Sequence, residues 1–527
     1  MATKTTTGTA TDPTTRSTTG TATDPTTRST TDPTTGTTPS PTRPARGPRR
    51  PARARLSARD RLVLFVLCAA QFMVALDFSV LNVALPVLGT DLGMSRSALQ
   101  WAVTAFALPS GGFLLLFGRI GDLYGRRRLF LNGLALFGTA SLLATFAWDP
   151  ASFLAGRALQ GLGAAAIVPT GMSLLTTTFP EGPARDRALG ISGTLLSLGF
   201  TVGMVAGGVL TDVLSWRSTM GLLSVFALVV LPLAPRVLPA SRRRDARTGA
   251  ASPAPGRARL DAPGAITVTG GLLALIYALS TAADRGFGGT DVIATLVAGV
   301  LLLAAFGYVE SRAAAPLVSL PMLRRSTVAW GNLGGLVTFS MMSTVVFVLT
   351  LYLQETLGLS AFETGLVFGV QGVLSAVAGV YAPKVVGRFG ARRTLVGSLA
   401  GQGLFVGSLV PLNAHPWSVW PATAAVALAS MCHLGAIISY GLTVTSGVPD
   451  EEQGLATGLV TSTQQVGITI GIPLLGVLAT TSSDLLAGVH TVLALDAVIV
   501  LAAAVLVAAG LRRGGSGAVE PEALGLR

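Results

Sequence analysis

Four ionisable side chains fall inside stretches that are otherwise apolar: Asp77, Arg157, His433 and Asp496. Asp77 stands in Leu76-Asp-Phe-Ser-Val-Leu-Asn-Val-Ala-Leu-Pro86, with Asn82 a little further on. A carboxylate in an apolar helix is costly and normally faces a polar interior or a water path, where it can take up and release a proton. An aspartate pinned by hydrogen bonds to its neighbours is the plainer alternative. Arg157 opens Arg157-Ala-Leu-Gln-Gly-Leu-Gly-Ala-Ala165, with Gln160 about one turn later. An arginine keeps its charge, so it can steer the protonation of a nearby carboxylate, or simply fix topology near a membrane face. Gln464 and Gln465, in Ser462-Thr-Gln-Gln-Val-Gly467, can hydrogen-bond across helices or line a cavity. Asn82, Gln160, Gln464, Gln465, His433 and Asp496 are the candidates for such a lining.

A different chemistry is written in Gly118-Arg-Ile-Gly-Asp-Leu-Tyr-Gly-Arg-Arg-Arg128, which joins the apolar runs Leu99 to Phe117 and Leu129 to Ala147. Clustered arginine beside an apolar span marks the cytoplasmic side, because Lys and Arg resist translocation. Asp122 can pair with an arginine or with the positive N-terminus of a neighbouring helix. Gly118, Asp122, Gly125 and Arg126 therefore form a candidate latch, closed in one conformation and open in another.

Only a membrane can ask for elements of the kind that carry these residues. Half of the 527 residues are hydrophobic and 12% are charged, with a mean hydropathy of +0.62; soluble domains carry about 25% charged residues. Fourteen spans can be drawn, at about 62–85, 98–117, 129–147, 152–175, 188–210, 219–238, 265–283, 291–309, 328–353, 362–382, 393–411, 417–443, 456–479 and 491–511. Each is long enough to cross about 30 Å of hydrocarbon as a helix. The net charge of +13 is almost wholly arginine, concentrated before the first span and in alternate loops. That pattern is topology and not nucleic-acid binding. It places both termini in the cytoplasm, with the acidic loop Asp450-Glu-Glu452 as the one exception. Cys68 and Cys432 sit inside apolar runs and read as small hydrophobes, not as a disulfide or metal pair.

Residues 1–57 form a Thr/Pro/Arg-rich tail in which Thr7–Thr18 repeats without change as Thr19–Thr30. It has too little apolar surface to order itself. The rest divides into a six-span bundle (58–240), a basic loop (241–263), an inserted helix pair (264–310), a second six-span bundle (311–512) and a short cytoplasmic tail (513–527). Two echoes argue that the bundles are duplicates. Gly125-Arg-Arg-Arg128 returns as Gly390-Ala-Arg-Arg393, and the spacing Gly190, Gly199, Gly203 returns as Gly458, Gly467, Gly471. Eight spans separate the copies, so the halves run in the same direction. Asp122 has Gly387 at its counterpart, which leaves the latch one-sided.

These motifs together resemble the major facilitator superfamily, and within it the fourteen-span drug:proton antiporters (DHA2-type). The Gly118–Arg128 link resembles the family's loop between helices 2 and 3. The Asp77 stretch resembles the first-helix motif of the fourteen-span branch, and Arg157 with Gln160 and Gly161 the fourth-helix motif associated with proton transfer. Gly190, Gly199, Gly203, Gly207 and Gly208 resemble the fifth-helix motif of exporters, except that Met204 stands where the family has proline. Gly454-Leu-Ala-Thr-Gly458 through Gly467 resembles that branch's thirteenth-span signature. No family motif covers His433 or Asp496.

The resemblance implies an all-α polytopic fold and a monomer in the cell membrane. It implies alternating access, in which protons exchange for an amphipathic, drug- or antibiotic-like cargo. Asp77 would carry the proton and Arg157 would be its electrostatic partner. The sequence contains no phosphate loop, metal-spaced cluster or nucleophile constellation, so no enzyme activity, metal or cofactor is expected and a proton gradient would drive transport. A proton-coupled nutrient importer on the same fold and a non-transporting receptor or scaffold are the alternatives.

Overall fold

A computed structural model of the chain describes residues 57–179, 183–238, 262–286, 288–312, 320–448, 453–480, 482 and 484–513. The predicted N-terminal tail up to 56, nearly all of the basic loop, the acidic loop and the last tail lie outside them. The first bundle consists of α1 (Ala58–Leu92), α2 (Arg96–Gly112), α3 (Leu114–Tyr124), α4 (Arg126–Thr145), α5 (Pro150–Thr178), α6 (Pro183–Val213) and α7 (Trp216–Val237). A hairpin of α8 (Ala262–Arg285) and α9 (Thr290–Arg312) follows, then the single turn α10 (Leu320–Leu323). The second bundle consists of α11 (Ser326–Leu351), α12 (Ala361–Phe389), α13 (Ala391–Gly407), α14 (Val419–Thr445), α15 (Gln453–Gly471), the short α16 (Val477–Thr480) and α17 (Leu485–Arg513). Wide π-helical turns extend α11 (Tyr352–Thr356) and α15 (Ile472–Gly476).

Helix starts are set by local chemistry. Ser57 and Asp60 cap α1 reciprocally, Asp149 and Ser152 do the same for α5 with proline at its first turn, and Ser360 and Glu363 for α12. Each pair satisfies amides that a helix N-terminus leaves without partners. Hydrogen bonds from Ser152 hold the Asp149 carboxyl below the usual carboxylate range. The breaks between α3 and α4 and between α12 and α13 fall on Gly125 and Gly390, at φ 109° and 81°. Only glycine adopts such angles without strain, which explains why the sequence repeats a glycine there. The arginines beside them repeat too. Arg127 of α4 donates to the Pro235 carbonyl at the end of α7; Arg392 of α13 donates to the Ala508 carbonyl near the end of α17 at 3.3 Å.

Packing follows the same duplication. In the first bundle α1 packs on α5, α6 and α7, α4 packs on α5 and α7, and α2 packs on α5. In the second, α11 packs on α14, α15 and α17, α13 on α14 and α17, and α12 on α14. The bundles meet along two seams, α6 against α12 and α2 against α15, with α1 reaching α11 between them. The inserted hairpin lies along the second seam, through contacts of α8 with α2, α3, α16 and the π turn after α15.

Among the described residues, 11 helices are long and apolar enough to cross a membrane, or up to 12 if the bent pair α2–α3 is one span. Sequence patterning drew fourteen. That count is not confirmed: α13, with 17 residues, and α15, which carries Gln464 and Gln465, are not among the helices that qualify. The 42° bend between α2 and α3 follows Pro109, which withholds a backbone amide from the ladder.

Candidate functional site

Asp77 and Arg157, eighty residues apart, meet inside the first bundle. Arg157 Nη1 lies 2.6 Å from Asp77 Oδ1 and 2.9 Å from Oδ2, and both residues are wholly buried, at 0% exposure. Around them the bundle supplies one polar group per helix. Gln160 accepts from Arg157 Nη1 at 3.0 Å and donates to the Ser141 hydroxyl of α4 at 2.7 Å. The Ala102 carbonyl of α2 accepts from Arg157 Nε at 3.1 Å. The Phe106 ring covers the guanidinium, its centre 4.5 Å from Cζ. A buried ion pair offsets its desolvation only with such extra hydrogen bonds, and removing one member leaves an uncompensated charge. An ion pair that can be opened by protonating one member is what a proton-driven switch needs.

Beside this network, and not containing it, a cavity opens between the bundles. Its volume is about 90 Å³, or about 770 Å³ with the open space at its mouth counted, and it is lined by α1, α2, α5, α6 and α15. Gln71, Ser110, Thr461, Gln464, Gln465 and Thr469 give it hydrogen-bonding groups, and Phe78, Phe106 and Phe200 give it aromatic faces. Among the described residues, none that lines it is ionisable. Hydrogen bonds also join the bundles directly. Gln354 donates to the Val83 carbonyl at 2.8 Å, the Phe362 amide to Asp212 at 2.9 Å and Thr469 to the Ala107 carbonyl at 3.3 Å. The first two contacts lie at the end of the molecule remote from the arginine-rich links.

The glycine motif divides its work. Gly199, Gly203 and Gly207 press α6 on α1 at Phe72, Ala75, Leu76, Ser79 and Val80, whereas Gly208 meets Ala361 and Phe362 across the seam in α12. Gly190 has nothing within 4 Å of its Cβ position. Helix α6 runs unbroken through Met204, whose carbonyl is approached by Gly365 of α12. The second bundle repeats the first contact in register: Gly467 and Gly471 press α15 on Leu336, Phe339, Ser340 and Ser343 of α11. The same register puts Met341 where α1 has Asp77.

The structure separates the other sequence candidates. Gln464 and Gln465 line the cavity. Gln160 belongs to the ion-pair network instead, and Asn82 is 1% exposed with its amide donating to the Phe78 carbonyl at 2.7 Å. His433 does not lie on the cavity wall; its Nδ1 is 2.9 Å from the Thr338 hydroxyl, which also bonds Gln402 at 2.5 Å. Asp496 is buried in α17 with neither carboxylate oxygen hydrogen-bonded. Gly125 and Arg126 lie at the α3–α4 turn, Gly118 lies within α3 against Pro169 of α5, and the Asp122 side chain is outside the described residues. Sequence reading missed Gln71, Ser110, Asp212, Gln354 and Phe106. A phenylalanine in an apolar run carries no signal of its own.

The chain matches the sequence model of the Major Facilitator Superfamily over residues 67–472 and again over 332–525. It belongs to that superfamily. Among this facilitator's relatives are the cephamycin export protein of Amycolatopsis lactamdurans, 37% identical over 82% of this chain and 87% of the relative, and the puromycin resistance protein of Streptomyces alboniger, 38% identical over 79% and 81%. Its fold is shared with the POT family transporter PepTSo at a TM-score of 0.65 and 16% identity, over 86% of this chain and 98% of the other. The facilitator is therefore a multi-pass membrane transporter with an all-α fold.

Proposed function

We propose that this chain exports amphipathic, drug- or antibiotic-like molecules from the cytoplasm in exchange for protons. The observation that carries the reading is the wholly buried Asp77–Arg157 pair standing behind a charge-free, aromatic and amide-lined cavity between two bundles. Such a cavity suits cargo that is mostly apolar and makes a few adaptable hydrogen bonds. The export of cephamycin by one relative and resistance to puromycin in another agree with cargo of that kind.

Under this reading the chain is a monomer in the cell membrane with both termini in the cytoplasm. The arginine-rich links then face the cytoplasm, the cavity opens inward, and the contacts at Val83, Asp212 and Phe362 close the outer end. Protonation of Asp77 from outside weakens its hold on Arg157 and favours one arrangement of the bundles. Loss of that proton to the cytoplasm restores the pair. No cofactor is needed, since the gradient supplies the energy.

The test is puromycin efflux from inverted vesicles or loaded cells. Efflux that persists after the proton gradient is collapsed would refute the coupling. Full drive-dependent transport by Asp77→Asn would refute the proton carrier while leaving a transporter.

A further inference from the structure

The cavity and the ion pair share one wall. Phe106 of α2 lines the cavity, and the same ring lies over the Arg157 guanidinium. Phe106 is 4% exposed, against 0% for Asp77 and Arg157. Arg157 spends Nε and Nη1 on Ala102, Asp77 and Gln160, but its Nη2 has no hydrogen-bond partner. A buried charged donor without an acceptor is expensive, and an aromatic face compensates for it only in part. The helices around the pair contribute Asp77 (α1), Ala102 (α2), Ser141 (α4), Gln160 (α5) and Met220 (α7). Asp77 and Arg157 are the ionisable members of this group. The backbone of Phe106 is held, because a Cβ on Gly161 of α5 would stand 2.2 Å from its carbonyl oxygen. What can move is the side chain.

Resting on the antiport reading above, we propose that Phe106 is the positioning residue that couples cargo to proton: its ring seals the Asp77–Arg157 pair from the cavity, and cargo that displaces the ring opens the path by which the proton of Asp77 passes to water. The orphaned Nη2 then gains a water as acceptor, and the pair is reached only when the cavity is occupied. Without the ring the path stands open and protons cross without cargo.

The experiment uses the full-length chain in liposomes holding a trapped pH dye, under an imposed pH gradient, with puromycin as the probe. Wild type should pass protons when puromycin is present. Phe106→Ala should pass them without it, about five-fold or more above wild type, a coupling loss of the usual size. Adding Asp77→Asn to Phe106→Ala should return the trace to that of empty liposomes. Phe106→Leu, which fills the volume without an aromatic face, should leak less than Phe106→Ala and is read in its place if the alanine variant does not elute as a single species. A folded variant with no leak, or a leak that survives Asp77→Asn, overturns the proposal. A wild type that moves puromycin without protons overturns the antiport reading and this proposal with it, a result distinct from either.

Discussion

The two bundles share one set of helix pairings but not one set of charges. Helix α6 is pressed on α1 by Gly199 and Gly203, and α15 on α11 by Gly467 and Gly471, in the same register. Yet Asp77 has Met341 as its counterpart, and the wholly buried Asp77–Arg157 pair lies in the first bundle. In its place the second bundle has an uncharged chain, Thr338 to Gln402 and His433, together with Asp496, whose oxygens find no partner. Duplication thus supplied the frame, and one copy was loaded for electrostatic work. The backbone differs in the opposite sense. Helix α6 is continuous through Met204, whereas α15 breaks into a π turn at Pro473.

The strongest way to break that comparison is to remove half of the pair. Arg157→Met leaves the Asp77 carboxylate buried alone and should cost about 3–5 kcal/mol of stability. Melting followed with a thiol-reactive dye reads this directly, because Cys68 is buried and Cys432 half-buried in the folded protein. Asp77→Leu combined with Arg157→Met should recover most of the loss while remaining inactive in drive-dependent efflux. A double variant as unstable as the single one would show that the pair is not what Arg157 stabilises. The converse substitution, Met341→Asp, places a carboxylate in the second bundle with no arginine built to receive it. About 2.5–3.5 kcal/mol is expected there, slightly less than for Arg157→Met, and no new proton flux should appear.

How much of this was legible follows from what kind of residue carries it. Asp77 and Arg157 announce themselves because charge in an apolar run has no structural reason to be there, and the glycine spacing shows because small residues at helical intervals mean close packing. Partners are not written in the same way. Nothing local tells that Gly208 turns away from α1 to meet α12, that Gln160 joins the ion pair while Gln464 and Gln465 line the cavity, or that Asp496 faces neither. These depend on which helices become neighbours and at what angle. Phe106 is the extreme case, an apolar residue among apolar residues whose role comes from having a cation on one side and a cavity on the other. The count of fourteen spans is not confirmed by the 11 to 12 described helices that are long and apolar enough to cross; α15, which carries Gln464 and Gln465, is not among them.

A finer comparison lies in the two glycine contacts. A Cβ on Gly471 would fall 1.9 Å from the Ser340 carbonyl oxygen, which is backbone; on Gly203 the same distance leads to the Ser79 hydroxyl, the end of a side chain that can rotate. Gly471→Ala should therefore destabilise more than Gly203→Ala, within the about 1–3 kcal/mol usual for overpacking. Equal losses would mean that helix separation, and not local relief, sets the cost.

The smallest expected effect tests the seams and not the bundles. At the α6–α12 seam Asp212 accepts the Phe362 amide at the N-terminus of α12, where the helix end carries partial positive charge. At the α2–α15 seam the Thr469–Ala107 bond is neutral, and that seam is also braced by α8. Asp212→Asn keeps an oxygen to accept the bond but removes the charge, so it should weaken the closure at the end remote from the arginine-rich links by about 0.3–1 kcal/mol. That is a shift of about two- to five-fold in the balance of closed and open forms. Spin labels at Leu214 and Leu366, both exposed, would report it as a larger fraction of long distances. Thr469→Val should leave the distribution near wild type, because α8 still holds its seam and no charge is lost. If instead Thr469→Val opens that end and Asp212→Asn does not, the charged seam is not the one that gives way first.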